Sequence, residues 1–122
     1  MNMQDCVDEL LQCGVEDWVD NAEVAWIAKS TGGASTPEDI RSVSLAIVEE
    51  VLRRGYMEIG DLRGPGSSFR PWDLSIQASL GRADAEWRKP GRADLMGGVF
   101  WLRNTQEGDR RGAAVPPRRV EP

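Results

Sequence analysis

The chain has 122 residues, room for one domain with a single core and little space for a second. Hydrophobic residues make up 40% and charged residues 29%, an ordinary globular mixture, and no run of about 18 apolar residues offers a membrane span. Histidine is absent, which removes together the commonest general base, the usual nitrogen ligand of zinc and every His-dependent triad.

The first predicted element is a short helix from Gln4 to Cys13, in which Val7, Leu10, Leu11 and Cys13 recur at helical spacing and Gly14 is a natural stop. Cys6 and Cys13 fall on one stripe roughly 10 Å apart along such a helix, beyond disulfide reach, so both are expected as free thiols used as small apolar groups. Glu16 to Asn21 then offers capping side chains before a second helix, Ala22 to Lys29, with Val24, Ile27 and Ala28 on its inner face and Trp26 close by. Gly32-Gly33 ends it.

The third helix is the best marked. Thr36 suits the N-cap, Pro37 the first helical position and Glu38-Asp39 the positive helix end. Ile40, Val43, Ile47 and Val51 form one apolar stripe, widened by Leu45, Val48 and Leu52. Arg53, Arg54 and Gly55 close the helix. Tyr56 to Ile59 alternates like a strand, Gly60 to Ser68 reads as a turn, and Phe69-Arg70-Pro71-Trp72 returns to the core. Asp73 is expected to cap a fourth helix reaching Arg88, weakened at Gly81. Pro90-Gly91 breaks the chain, and Val99 to Leu102 reads as a buried strand paired antiparallel with 56–59.

The expected fold is therefore α+β and mainly helical, with three to four helices and a small antiparallel β-sheet in a winged-helix-like order. Residues 1–106 are expected to form one globular domain. Residues 107–122, rich in Pro and Arg and short of large apolar groups, are expected to form a flexible basic tail.

Charge is divided unevenly. Residues 1–50 hold eleven acids against Lys29 and Arg41, a net of −9, whereas the remainder carries +4, for a total of −5. An acidic half repels a phosphate backbone and attracts a basic protein. If 37–54 were a DNA-recognition helix, it would present Glu38, Asp39, Glu49 and Glu50 with Arg41 as its only base before Arg53, so nucleic acid is disfavoured. The Gly60 to Ser68 turn lacks the Gly-Lys-Ser/Thr ending of a P-loop, and no catalytic, cofactor-binding or metal-ligating set emerges. Five Trp are spread over the elements as expected for core anchors, with Trp18 the one placed among acids. Asp8, Glu9, Glu16, Asp17, Trp18 and Asp20 are the candidate partner-binding residues.

The run Asp17 to Trp26, the turn Gly55 to Asp61, Phe69 to Trp72, Glu86-Trp87 and Trp101 to Thr105 together resemble a class of small bacterial proteins of uncharacterised function, over residues 15–109. In size and layout these are similar to immunity proteins of bacterial toxin systems, which sequester a toxin and perform no chemistry. The resemblance implies a protein that binds a toxin and performs no chemistry, with no cofactor expected; the acidic N-terminal half makes the expected partner a basic, nuclease-like toxin, and the lack of a membrane span or a secretory signal reads as cytoplasmic. A winged-helix transcriptional regulator binding DNA through Arg41, Arg53, Arg63 and Arg70 is the alternative.

Overall fold

The computed structural model describes residues 2–63 and 68–116. Five helices and four strands follow one another as α1 (Met3–Gly14), β1 (Val19–Asp20), α2 (Asn21–Ser30), α3 (Pro37–Arg53), β2 (Met57–Arg63), β3 (Ser68–Pro71), α4 (Ile76–Arg88), β4 (Trp101–Asn104) and α5 (Gln106–Ala114). The strands form one antiparallel sheet in the order β1-β4-β2-β3, so the chain is α+β and mainly helical.

Local chemistry explains most boundaries. The Asn2 side chain caps α1 by accepting from the Asp5 N–H, and Asp20 does the same for α2 at the Glu23 N–H. Thr36 caps α3 with Pro37 in its first turn, as the sequence indicates, and Gly55 leaves the helix at a φ of +70° that disfavours any side chain. The α4 cap is Ser75, whose hydroxyl accepts from the Ala78 N–H at 3.1 Å; Asp73, expected in that role, instead takes a left-handed backbone with φ +58°. Asp tolerates that conformation better than most residues, so the chain turns there before the helix starts.

The core joins Leu10 and Leu11 of α1, Ile27 of α2, Ile47 and Val48 of α3, Ile59 of β2, Phe100 and Leu102. The buried stripe of α3 is Ser44, Ile47, Val48 and Val51; Ile40, Val43, Leu45 and Leu52 lie at its margins, because α2 and α4 both pack on α3 and share its flanks. The expected pairing of the last strand with β2 is present, with Ile59 opposite Leu102, but the strand runs from Trp101 to Asn104 rather than 99–102. Val99 and Phe100 are buried before it begins, and the Val99 N–H is bound by the Asn21 side chain instead of a neighbouring strand. The two-residue β1 was not expected; Val19 and Asp20 pair with Leu102 and Trp101.

The largest departure concerns residues 107–114, expected in a mobile tail and found with Gln106 in a helix. They form α5, which lies against α1. Thr105 caps it at the Gly108 N–H, Asn104 Nδ2 donates to the Leu11 carbonyl at 3.0 Å, and Arg111 forms a two-pronged pair with Asp8 at 3.0 and 3.1 Å. Its buried residues are Gly108 and Gly112, four apart on one face. A Cβ on Gly112 would stand 2.5 Å from the Leu11 carbonyl oxygen, so the helix docks through its backbone and needs no large apolar side chain. Residues 117–122 of the expected tail and 64–67 of the expected turn lie outside the described residues. Among the described residues no helix is long and apolar enough to cross a membrane.

Candidate partner-binding surface

The six residues singled out by the sequence do not converge. Asp8 faces α5, paired with Arg111 and accepting from Gln4 Nε2 at 2.9 Å. Glu9 faces the end of α2, where Thr31 Oγ1 donates to it at 2.6 Å. Asp20 is buried and holds backbone: it accepts from the Glu23 N–H at 3.2 Å and the Gly97 N–H at 2.7 Å. Glu16 and Asp17 are exposed, and Trp18 beside them is half-buried, its own N–H donated to Asp17 Oδ1 at 2.8 Å. Only these three form a contiguous exposed set.

Trp18 stands between two clefts. One, of about 380 Å³, is lined on its acidic side by Glu16, Asp17 and Asp109 and reaches Arg103 and Asn104. The other, of about 310 Å³, is lined by Cys13, Asp17, Trp18, Val19, Asp20, Glu23, Met96 and Trp101. This second cleft carries three carboxylates, two indoles and a methionine, and no basic residue among the described residues. Met96 is 81% exposed and its neighbour Leu95 57%, so apolar surface stands open at the mouth.

The loop that presents Met96 is rigidly held. Asn21, fully buried at the start of α2, accepts from the Val99 N–H at 3.1 Å and donates to the carbonyls of Ala93 and Leu95 at 3.1 and 3.4 Å. Asp20 anchors the same loop at Gly97, and Gly97 lies so close beneath the Trp101 indole that a Cβ there would collide with the ring. Asp20 is also the cross-strand partner of Trp101. Two adjacent polar residues thus fix a loop and an aromatic wall, which fits the general use of loops on rigid scaffolds for recognition.

Cys13 closes the floor of the cleft and donates to Glu23 Oε1 at 3.5 Å. Burial first, then the hydrogen bond and charge of Glu23, pushes its thiol from 9.0 up to about 11. At neutral pH it stays protonated, a poor nucleophile that leaves the cleft's negative charge to the carboxylates. Cys6 is a buried free thiol.

The sequence reading missed Leu95, Met96, Trp101 and Glu23. Leu95-Met96 followed by Gly97-Gly98 was the available signal, two large apolar residues at a glycine-rich turn. The expectation that tryptophans anchor the core applies to Trp72 and to Trp87, which packs against Phe100 at 6.1 Å between ring centroids. Trp26 departs from it, 59% exposed with Lys29 Nζ 5.8 Å from its centroid.

Among the described residues no three Cys, Asp or Glu side chains gather into a group able to hold a metal ion. Comparison with protein-family models, with curated proteins and with solved structures found no match.

Proposed function

We propose that the protein is a non-catalytic binding protein that covers a basic protein partner, in the manner of an immunity protein neutralising a nuclease-like toxin. One observation carries this reading: the cleft that joins Trp18, Met96 and Trp101 is lined by Asp17, Asp20 and Glu23, with no base in its lining among the described residues. Carboxylates beside two half-buried indoles favour a lysine or arginine side chain, which gains both charge pairing and contact with an aromatic ring. Long-range attraction speeds encounter, while a buried Trp anchor sets how long the complex lasts.

The site is narrower than charge alone suggested. Asp8 and Glu9 are engaged within the fold and Asp20 is a scaffold, so the exposed determinants are Glu16, Asp17, Trp18 and Met96. The expected experiment is affinity capture from the cell of origin with the wild-type chain beside a Glu16→Lys/Asp17→Lys variant and a Trp18→Ala variant. A basic protein should be retained by the wild type, lost on charge reversal, and released faster by Trp18→Ala. Equal retention by all three overturns the reading.

The winged-helix description belongs to this proposal too, since α1, β1, α2, α3 and the β2–β3 hairpin follow that order. DNA binding through α3 is the weaker use of it. Arg41 pairs with Asp84 of α4 at 3.2 Å, Arg53 with Glu49 at 2.7 Å, and α4 packs along α3, so neither cation stands free for a phosphate and one flank of the helix is occupied.

A further inference from the structure

The opposite charge gathers at the far edge of the sheet. A cleft of about 480 Å³ is lined by Asp61, Arg63, Arg70, Pro71, Trp72 and Arg82. Asp61 and Arg70 are directly opposed across β2 and β3, and Arg63 lies two residues beyond Asp61, so period-two alternation puts all three on one face of the hairpin. Arg82 reaches this face from α4, its guanidinium carbon 4.0 Å from the centre of the Trp72 ring.

The charges do not balance. Asp61 is the only acid in the lining, and it meets Arg63 at 3.4 Å and Arg82 at 3.5 Å, both longer than charge-assisted bonds normally run. Arg70 is exposed and has no ion pair among the described residues. Trp72, only 9% exposed, buries an indole Nε1–H that has no acceptor among them. Among the described residues the cleft lining therefore carries two positive charges in excess, which a bound anion would balance.

We propose that this cleft binds the dianionic phosphate of a small phosphomonoester. Two excess positive charges match a dianion. Arg82, seated over the Trp72 ring, carries its in-plane N–H groups in a planar fork that suits phosphate oxygens, whereas a lysine would offer only a point charge. The stacked guanidinium also covers the indole face that a nucleobase would need, so recognition is of the phosphate and not of an attached base or a nucleic-acid strand. The site shares no residue with the Trp18 cleft, so either assignment can fail alone.

The test is a ¹H–¹⁵N NMR titration of the full chain with glycerol 3-phosphate at constant ionic strength. The Trp72 Nε1–H and Arg82 Nε–H resonances should shift together and saturate. Arg82→Lys, which keeps the charge but loses the planar fork, and Arg70→Gln should each weaken binding about tenfold, with the remaining resonances in place as evidence of an intact fold. Shifts that never saturate, an equal response to chloride, an unaffected Arg82→Lys variant, or tighter binding of an oligonucleotide lacking a terminal phosphate would each overturn the proposal.

Discussion

The two clefts are built from the same ingredients, tryptophan and charged side chains, assembled with opposite results. At the α1–α2 corner, Trp18 and Trp101 share their cleft with Asp17, Asp20 and Glu23 and, among the described residues, with no base. At the hairpin edge, Trp72 is covered by Arg82, and the one aspartate lining the cleft among the described residues pairs with Arg63 and Arg82 and leaves Arg70 without an ion pair. An indole among carboxylates is an open seat for a cation; an indole already under a guanidinium is a platform that positions the cation for an anion. Net charge, −5 overall, hides this division. What decides the behaviour of each region is which ions are already paired inside the fold.

The comparison can be sharpened at Cys13. Raising its thiol from 9.0 to about 11 cuts the thiolate fraction about a hundredfold at pH 8, so alkylation of the folded chain should be slower by about that factor than of the unfolded chain. The same shift makes the folded state hold its proton longer than the unfolded state. Its contribution to stability is therefore complete below pH 9 and lost as pH rises through about 11, and Cys13→Ala should remove that dependence. A ligand seated in the Trp18 cleft should slow alkylation further, whereas phosphate should not.

Asn21→Ala should destabilise the chain by about 2–3 kcal/mol in urea titration, because it strips one backbone N–H and two carbonyls of their partner. It should also loosen the Met96 loop and weaken capture of the partner while leaving the arginine cleft able to bind phosphate. Loss of both together would mean that the two regions are not independent.

Gly112→Val should cost about 1–3 kcal/mol by forcing α5 away from the Leu11 carbonyl and the Val15 side chain. Amide hydrogen exchange should then quicken first in α5 and α1. The smallest effect is expected at Gly81, exposed in α4 with nothing within 4 Å of the place a methyl group would take. Gly81→Ala should stabilise by about 0.5–1 kcal/mol through the unfolded state and alter neither cleft.

Elements carried by side-chain patterns were legible in the sequence. The apolar spacing of α1, the Thr36-Pro37 start of α3 and the pairing of β2 with β4 all follow from periodicity and capping. Two features were not. Helix α5 buries glycines and backbone, so a search for large apolar residues could not see why it docks; Thr105 followed by Gly108 and Gly112 at a four-residue interval is the only trace. The surface was half legible: of the six residues expected to bind a partner, Glu16 and Asp17 are exposed and Trp18 is half-buried beside them. Asp8, Glu9 and Asp20 were drawn in by the same acidic signal, yet their partners, Arg111, Thr31 and Gly97, lie 22 to 103 residues away in sequence. For Asp20 the capping position ahead of α2 was a local sign of its use, whereas for Asp8 and Glu9 no local pattern distinguishes an acid awaiting a partner from one that the fold has already supplied.

The most direct test of the central claim is a ¹H–¹⁵N NMR titration of the full chain with a short lysine- and arginine-rich peptide. The Trp18 and Trp101 indole N–H resonances should shift and saturate, with the response abolished by Asp17→Lys and steeply weakened by added salt. Shifts confined to other tryptophans, or an unchanged response in Asp17→Lys, would contradict it.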